Sequence, residues 1–279
     1  MKIGFIGQGY IGKNYADDFE KRGYEVIRYA LEPEYEGNKE KIKDCDIVFI
    51  AVPTPTTPEG FSDKIVRSVI PLVGPGKIAV IKSTILPGTT KSIQAENPSI
   101  IVLNSPEFLS ETTAAKDAAN PFSNIVGTPE DSPKYKEATE KVLSVLPKAP
   151  YSLVCNSKEA EIIKYAHNGS AFVQIVFFNL MYDLASSMEA DWESIEEAIL
   201  ADPYISNRYA RPVHKTGRGA GGNCFIKDFA ALVNKYKEVL PGDVNGHTLF
   251  KALVDKNCDL LMSTEKDIEL LKGVYGREQ

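Results

Sequence analysis

The chain opens with a short apolar run and three closely spaced glycines, Lys2-Ile3-Gly4-Phe5-Ile6-Gly7-Gln8-Gly9-Tyr10-Ile11-Gly12. A helical pattern follows to Arg22, and a second apolar run extends from Tyr24 to Leu31. Glycines at this spacing, after a strand and at the start of a helix, are typical of a dinucleotide-binding turn. They allow a tight turn and let a pyrophosphate rest on the helix N-terminus. The opening therefore predicts the first strand, helix and strand of a Rossmann-type sheet.

Three further apolar runs each end in a polar loop that contains proline. The runs cover residues 46–52, 77–82 and 99–103, and the loops cover residues 53–58, 83–90 and 104–111. Continuous apolar strands are those that a parallel sheet buries on both faces. Because the carboxyl ends of such strands line the ligand crevice of an open α/β sheet, we expect these loops to form part of a site.

After Ser157 the pattern changes from strands to helices. Residues 158–188 contain no proline and predict one long helix, in which Glu161, Lys164 and Asn168 share a face and, among apolar neighbours, need polar partners. Further helices are predicted at 192–201, 225–239 and 247–262, and the charged tail from residue 265 is expected to fray. The predicted fold class is therefore α/β. A Rossmann-type, mostly parallel sheet with helices on both faces occupies residues 1–156, and an all-helical domain occupies residues 157–279.

A second glycine-rich stretch, Gly217-Arg218-Gly219-Ala220-Gly221-Gly222-Asn223-Cys224, leads directly into a cysteine. Its glycines allow the backbone to approach a ligand, with N–H groups free to face an anion. A helix that begins at Cys224 places the thiol and Asp228 on one face, and its dipole favours the thiolate. A buried, inert cysteine after a flexible loop is the alternative.

The composition excludes several classes of partner. A formal net charge of −6 gives no basis for binding nucleic acid or an anionic membrane surface. No stretch approaches the ~18 continuous apolar residues of a membrane span. The four cysteines are far apart and have no metal-ligand spacing, so no metal is expected. Because the first residues already enter a strand, we expect no secretory leader. Scattered cysteines favour free thiols, so we expect a reducing, cytoplasmic location.

In this order the motifs resemble the UDP-glucose/GDP-mannose dehydrogenase family, the nucleotide-sugar 6-dehydrogenases, over almost the entire chain. Each motif is moderately specific alone, and together in sequence they are highly specific. The remaining motifs are Pro53-Thr54-Pro55, Ser83-Thr84 with Pro87-Gly88-Thr89-Thr90, Pro106-Glu107-Phe108-Leu109-x-Glu111, Glu159-Ala160-Glu161-x-x-Lys164-x-x-x-Asn168 and Gly219-x-Gly221-Gly222-x-Cys224-Phe225-x-Lys227-Asp228.

The resemblance implies oxidation of the C6 hydroxyl of a UDP- or GDP-hexose to the uronate, in two hydride transfers to NAD through a thiohemiacetal and a thioester on Cys224. Lys164 and Asn168 would stabilise the oxyanion. Residues that would position water, move protons or support the loop are Asp228, Glu107, Thr84 and Glu111.

The resemblance also implies two sets of binding residues. Those for NAD are Gly7, Gly9, Tyr10, Ile11, Gly12, Glu32, Val52, Pro53, Thr54, Thr84, Glu111 and Lys227. Those for the substrate are Glu107, Phe108, Leu109, Lys164, Asn168, Arg208, Gly217, Gly219, Gly221 and Cys224.

The chain departs from the family pattern at several places. Ser110-Glu111 stands where the family has an arginine–glutamate pair. The family's arginine that reaches the partner subunit's substrate aligns with Arg208, or with Tyr204 in another alignment. After the second strand, Glu32 suits the ribose of NAD whereas Arg28 suits the phosphate of NADP, and we favour NAD. The chain also ends after the helical domain, so the resemblance is to a short form without the family's C-terminal nucleotide-binding domain.

Two other functions remain open. A β-hydroxyacid or 6-phosphogluconate-type dehydrogenase also pairs a lysine with an asparagine, but it uses no cysteine nucleophile and reduces one cofactor per substrate rather than two. A non-catalytic nucleotide-sugar or dinucleotide-binding module is the second alternative. In any of these, the many apolar residues around Phe172 to Phe178 predict a homodimer joined through the long helix.

Overall fold

The structure, a computed structural model, describes residues 1–276. The chain divides into two compact units. The sheet unit comprises residues 1–54 and 62–164, and the helical unit comprises residues 55–61 and the chain from residue 165 onward. The division therefore lies inside a helix, and a short segment from the N-terminal half belongs to the helical unit.

The sheet unit contains a seven-stranded sheet, whose strands we number in chain order. They are β1 Lys2–Ile6, β2 Glu25–Tyr29, β3 Ile47–Ile50, β4 Ile78–Ile81, β5 Ile101–Asn104, β6 Ser123–Thr128 and β7 Tyr151–Asn156. Their order across the sheet is β2-β1-β3-β4-β5-β6-β7, and all neighbours are parallel except β5 and β6. The predicted α/β fold with a mostly parallel sheet is confirmed.

The central strands are apolar on both faces, as a covered parallel sheet requires. Every residue of β3 and β4 is buried. Phe5 on β1, Phe49 on β3 and Phe19 beneath them form a ring cluster with centroids 5.1–5.3 Å apart. Because β3, β4 and β5 are parallel neighbours, their carboxyl ends and the first residues of the three polar loops lie along one edge of the sheet.

The helices are α1 Tyr10–Lys21, α2 Pro33–Glu36, α3 Lys64–Val69, α4 Thr89–Glu96, α5 Ala114–Ala119, α6 Pro133–Val145, α7 Ser157–Ser187, α8 Trp192–Ala201, α9 Gly222–Val239, α10 Val244–Ser263 and α11 Ile268–Tyr275. Short 3₁₀ turns cover Lys39–Asp44, Ile70–Leu72 and Asn207–Tyr209. Two small hairpins pair Thr56–Thr57 with Gly60–Phe61 and Val213–His214 with Gly217–Arg218. None of the helices in residues 1–276 is both long and apolar enough to cross a bilayer.

The long helix α7 runs unbroken through Gly169, as its proline-free pattern predicts. The glycine serves packing, since a β-carbon there would lie 3.3 Å from the Leu232 side chain of α9. One turn later Phe172 stacks on Phe229, with ring centroids 3.7 Å apart. Close approach and ring stacking thus join α7 to α9, the helix that carries Cys224.

The tail corrects an expectation, because it does not fray from residue 265. Residues 268–275 form α11, whose Leu271 and Val274 are buried in the core of the helical unit. The composition hid this, since charged residues alternate with an apolar stripe that packs against α9. The hairpin of residues 56–61 packs against α9 as well. Residues 277–279 of the predicted tail lie outside the described residues.

Candidate active site

The first glycine loop is closed by its own backbone except at one position. Gly7 has φ of 89°, and its N–H donates to Tyr29 O at 2.8 Å. A β-carbon on Gly7 would overlap the Ala51 carbonyl, and one on Gly12 would overlap the Gly7 carbonyl. Gly9, the N-cap of α1, has no atom within 4 Å of such a β-carbon. This open space at a helix N-terminus fits the pyrophosphate of NAD, and Tyr10 and Ile11 follow it as the first helical residues.

The side chains near the ribose position favour NAD over NADP. Arg28 donates to Asp17 at 2.7 Å and to Glu20 at 3.0 Å, and contacts Gln8 at 3.3 Å. Because the N–H groups of this guanidinium already bond two carboxylates, which neutralise its charge, it is poorly suited to bind a 2′-phosphate. Glu32 lies exposed as the N-cap residue of α2, just beyond the end of β2.

The ends of β3 and β4 are tied together by a hydroxyl. Ser83 Oγ donates to Val52 O at 2.7 Å, which fixes the backbone that leads into Pro53 and Thr54. Val52 and Thr54 are buried whereas Pro53 between them is exposed, and Thr84 is half-buried. These predicted cofactor residues therefore share one edge of the sheet with the first glycine loop.

A buried ion pair joins the end of β5 to the start of α7. Lys164 Nζ donates to Glu107 O at 2.6 Å and to Glu107 Oε1 at 3.0 Å. Glu107 Oε2 accepts the N–H of Leu109 at 2.7 Å, and the ammonium lies 5.5 Å from the centre of the Phe108 ring. Both charged side chains are at most 6% exposed. The structure thus brings these predicted substrate residues together, with the carboxylate and ammonium held in fixed positions.

A second buried lysine, Lys82, was not singled out by the sequence analysis. Its Nζ donates to both the carbonyl and the hydroxyl of Ser105 at 3.1 Å, two residues before Glu107. The ammonium also lies 4.6 Å from the centre of the Tyr15 ring. Burial lowers the pKa of Lys82 to about 8, against the opposing effect of the Glu107 charge. Nothing in the sequence marks this lysine except its place directly after a buried strand.

Glu161 acquires a role that its place on the predicted helix face did not show. It caps the N-terminus of α4, accepting the N–H of Gly88 at 2.5 Å and both the N–H and Oγ of Thr90 at 2.8 and 2.6 Å. Burial raises the pKa of this carboxyl, and the three hydrogen bonds oppose the shift. Glu161 and Lys164 together anchor the first turns of α7 to the sheet unit, which explains why the unit boundary lies inside the helix.

The helical unit carries the cysteine and its predicted partners. Cys224 is half-buried in the first turn of α9, and Asp228 lies one turn later and is 2% exposed. Asp228 accepts a hydrogen bond from Asn168 Nδ2 at 2.7 Å and one from Lys227 Nζ at 2.5 Å. Asn168 is four residues after Lys164 on α7. The buried carboxylate thus faces both the asparagine of α7 and a cation, one turn from the thiol.

Three N–H groups of the second glycine loop are bonded within the protein, so the prediction that the loop's N–H groups are free to face an anion is wrong for half of them. The N–H groups of residues 218, 220 and 222 donate to side chains of the protein itself. These bonds are Arg218 N to Thr264 Oγ1 at 3.0 Å, Ala220 N to Asn257 Oδ1 at 2.7 Å and Gly222 N to Asp267 Oδ2 at 2.7 Å. The glycines are needed because these side chains approach so closely. β-Carbons on Gly217, Gly219 and Gly221 would meet Thr264, Asn257 and Asp267.

Two predicted residues lie at the surface. Glu111 is exposed in the turn after β5, a loop held by the N–H of Ser110 donating to Asp117 at 3.0 Å. Arg208 is exposed in a 3₁₀ turn, with its guanidinium 5.6 Å from the centre of the Tyr209 ring. Tyr209 in turn contacts the ring of Phe225, next to Cys224. These ring contacts connect Arg208 to the cysteine segment.

A cavity of about 460 Å³ in the helical unit contains none of the predicted site residues. It is lined by Thr57 and Pro58 of the first hairpin and by residues of α9, α10 and α11. Its size is that of a small-molecule site, but the chemistry that the motifs predict lies elsewhere in the unit.

Two domain matches cover most of the chain. Residues 28–145 match the NAD binding domain of the UDP-glucose/GDP-mannose dehydrogenase family, and residues 158–257 match its central domain. A UDP-glucose 6-dehydrogenase of Rickettsia prowazekii is 27% identical over 276 residues, which cover 84% of this chain and 62% of that protein. The chain thus spans less than two thirds of the length of this and other curated relatives.

Solved structures give the same picture. A UDP-glucose dehydrogenase from Pyrobaculum islandicum superposes with a TM-score of 0.78 at 26% identity, covering 92% of this chain and 68% of that one. A 3-hydroxyisobutyrate dehydrogenase from Mycobacterium tuberculosis has a TM-score of 0.72 at 16% identity, covering 99% of this chain and 98% of that one. The second likeness, at 16% identity, concerns the fold alone.

Proposed function

This chain belongs to the UDP-glucose/GDP-mannose dehydrogenase family, and we propose that it oxidises the C6 alcohol of a UDP-hexose to the carboxylate. The observation that carries the proposal is the cluster on α9, where Cys224 lies one turn before a buried Asp228 that Asn168 and Lys227 hold. A hydroxyacid dehydrogenase needs the lysine and asparagine but has no use for a thiol beside a buried carboxylate. The naming of several relatives as UDP-glucose 6-dehydrogenases supports the choice of sugar nucleotide.

The proposed reaction has four steps: oxidation of the alcohol, addition of the thiol, a second oxidation and hydrolysis. The alcohol loses a hydride and a proton and becomes an aldehyde, and Cys224 Sγ then adds to the carbonyl carbon to give a thiohemiacetal. Loss of a second hydride and a proton gives a thioester. Water attacks the thioester, the C–S bond breaks, and the carboxylate leaves as the thiol is restored. NAD held at the first glycine loop would supply the hydride acceptor for each oxidation, one NAD for each of the two hydrides.

The proposed roles of the polar side chains follow from their partners. Lys164 stabilises the oxygen of the alcohol and of the adducts as negative charge develops, while Glu107 keeps its ammonium in place and accepts protons. Asp228 serves as the base for water, oriented by Asn168. The remaining predicted residues would position the cofactor, the loop after β5 and the sugar nucleotide. They are Thr84, Glu111, Lys227, Phe108, Leu109 and the glycines 217, 219 and 221.

The test is the number of cofactors reduced per sugar. Single-turnover reactions with UDP-glucose, GDP-mannose and 3-hydroxyisobutyrate are followed at the NADH absorbance. We expect two NADH and one uronate for every UDP-sugar consumed. One NADH per molecule of hydroxyacid contradicts the proposal and supports the alternative dehydrogenase. Cys224→Ala is expected to bind NAD normally and to form no uronate.

We also propose that the protein is a homodimer joined through α7, in which Arg208 contacts the substrate of the neighbouring protomer. An apolar stripe whose members recur every three or four residues, about one helical turn, remains at the surface of α7. Its members are Val173, Phe177, Leu180 and Leu184, which are 39–53% exposed. Leu184→Glu is expected to halve the mass measured by light scattering. Leu249→Glu, at a similarly exposed leucine of α10, is the matched control and leaves the mass unchanged.

A further inference from the structure

The turn between α10 and α11 holds the loop that precedes Cys224. Lys266 is 6% exposed and donates to Gly219 O at 2.9 Å and to Gly217 O at 3.4 Å. Asp267 accepts the N–H of Gly222, the first residue of α9. A buried ammonium is costly unless it is bonded, and here carbonyl oxygens bond it. A carboxylate at the start of a helix is favourable, so each charged group has a partner that holds it in place.

Both charged side chains lie against the same residue, Gly221, which is the N-cap of α9. A β-carbon on Gly221 would overlap the Asp267 carboxylate and the Lys266 side chain. The turn that delivers them is unusual, because Glu265 and Asp267 have positive φ of 52° and 55°. Non-glycine residues rarely adopt this conformation unless the surrounding structure enforces it. The turn also lies beyond residue 257, where the match to the family's central domain ends.

We propose that Lys266 and Asp267 are positioning residues for Cys224, which fix the start of α9 and set, by their opposite charges, how readily the thiol ionises. This inference rests on the proposed role of Cys224 as the nucleophile. A negative charge at the helix N-terminus opposes the thiolate in the first turn, and a positive charge favours it. Lys266 therefore offsets the effect of the Asp267 carboxylate on the ionisation of the thiol, and Asp267 offsets the effect of Lys266.

Other charges act on this segment and are kept constant in the test. Lys227 and Asp228 lie on α9 itself and bond to each other. Lys215, in the turn before the glycine loop, lowers the pKa of Lys266, although burial is the larger cause and Asp267 opposes both. Substitutions at 266 and 267 leave all three of these residues in place.

The experiment measures alkylation of Cys224 by iodoacetamide as a function of pH, with the Cys224 peptide quantified by mass spectrometry. Asp267→Asn keeps a side-chain acceptor but removes the charge, and it is expected to lower the midpoint pH by roughly 0.5–1 unit. Lys266→Met, similar in shape, is expected to raise the midpoint by a similar amount. Asp243→Asn is the matched control, because Asp243 accepts the N–H of Gly246 at the start of α10 in the same way, and it leaves the midpoint unchanged.

The opposite signs separate this inference from general loosening. If both variants shift the midpoint in the same direction, or if neither shifts it, the charge pair does not act on the thiol and the inference is wrong. If one variant fails to fold by circular dichroism, the sign of the other decides. Because alkylation needs no turnover, an active Cys224→Ala would refute the proposed function while leaving this measurement intact.

Discussion

Two glycine-rich loops, each at the start of a helix, serve opposite purposes. In the first, residues 7–12, the backbone packs on itself and the space at Gly9 is left open. In the second, residues 217–222, side chains from α10 and the following turn take up every other N–H group. The first loop is shaped to receive a ligand from outside, whereas the second is held rigid by the protein so that a thiol keeps its place.

The comparison teaches that glycine spacing alone does not say what will fill the space. In both loops glycines stand where a β-carbon would collide. In the first the colliding groups are carbonyls of the loop and of its neighbour strand, and in the second they are side chains distant in sequence. Each unit also contains a buried lysine that braces a loop by donating to a carbonyl oxygen. Lys82 donates to Ser105 O, and Lys266 donates to Gly219 O.

The largest expected effect tests the first loop. Gly12→Ala forces a β-carbon into the Gly7 carbonyl, so we expect the sheet unit to lose about 4 kcal/mol of stability and all measurable NAD binding. Gly9→Ala meets no protein atom, so it should melt like the parent protein while binding NAD at least tenfold more weakly. Thermal melts and NAD titration check both. If both variants lose the same stability, Gly9 does not differ from Gly12 in having open space around it, and the interpretation is wrong.

The next largest effect concerns the buried ion pair of Lys164 and Glu107. Losing an oxyanion donor typically costs ~10²–10³ in rate, so we expect Lys164→Met to reduce kcat by that factor. It also leaves Glu107 buried and unpaired, which destabilises by roughly 3–5 kcal/mol. The double variant Lys164→Met with Glu107→Gln should recover much of the stability but none of the rate. Recovery of kcat would show that the lysine is structural.

A smaller effect is expected at the second loop. Asn257 is 2% exposed and exchanges two hydrogen bonds with the backbone of Ala220, at 2.7 and 3.0 Å. Asn257→Ala leaves both backbone groups unpaired, for a loss of roughly 2–3 kcal/mol. We expect uronate formation to fall while NAD affinity stays constant, because the cofactor loop belongs to the other unit. Urea denaturation and NAD titration test this, and a parallel loss of NAD affinity would contradict it.

The last effect concerns the buried Lys82 of the sheet unit and is a slope with pH rather than a fixed loss of stability. Because burial lowers the pKa of Lys82 to about 8, the unfolded chain binds one more proton than the folded chain from pH 8 to the ordinary lysine value. Stability should therefore rise through that range, by at most about 1.4 kcal/mol per pH unit, and be lowest below pH 8. Lys82→Met removes this rise, whereas the exposed Lys136→Met keeps it. Urea denaturation at several pH values measures the slopes.

Much of the fold follows from patterns that act locally. Continuous apolar runs predict the buried strands, and the absence of proline predicts α7 through Gly169, because each signal is set by neighbours in sequence. The ordered tail could not be predicted in this way. Its apolar residues are few, and they become informative only when α9 and the first hairpin are present to cover them.

The candidate site also has a part that sequence motifs predict and a part that they do not. Cys224, Asp228, Lys164 and Glu107 stand in recognisable motifs, and the structure pairs Lys164 with Glu107 as a lysine among apolar neighbours requires. The side chains that brace the loops are not predicted because their partners are backbone N–H and carbonyl groups, which carry no sequence signal. Asn257, Lys266 and Asp267 belong to this class, and their distance from the glycine loop along the chain hides them further.

The division of the chain has a consequence for how such a protein can change over generations. The polypeptide leaves the sheet unit after residue 54, returns at residue 62 and leaves again after residue 164. No single crossover in the gene can therefore exchange one unit for another. A recombinant that inherits residues 165 onward from a different parent keeps the hairpin of residues 56–61 from the first parent. That hairpin evolved to pack against the helices of the first parent and not against those of the second. The two units are expected to be inherited together and to diversify by substitution rather than by shuffling.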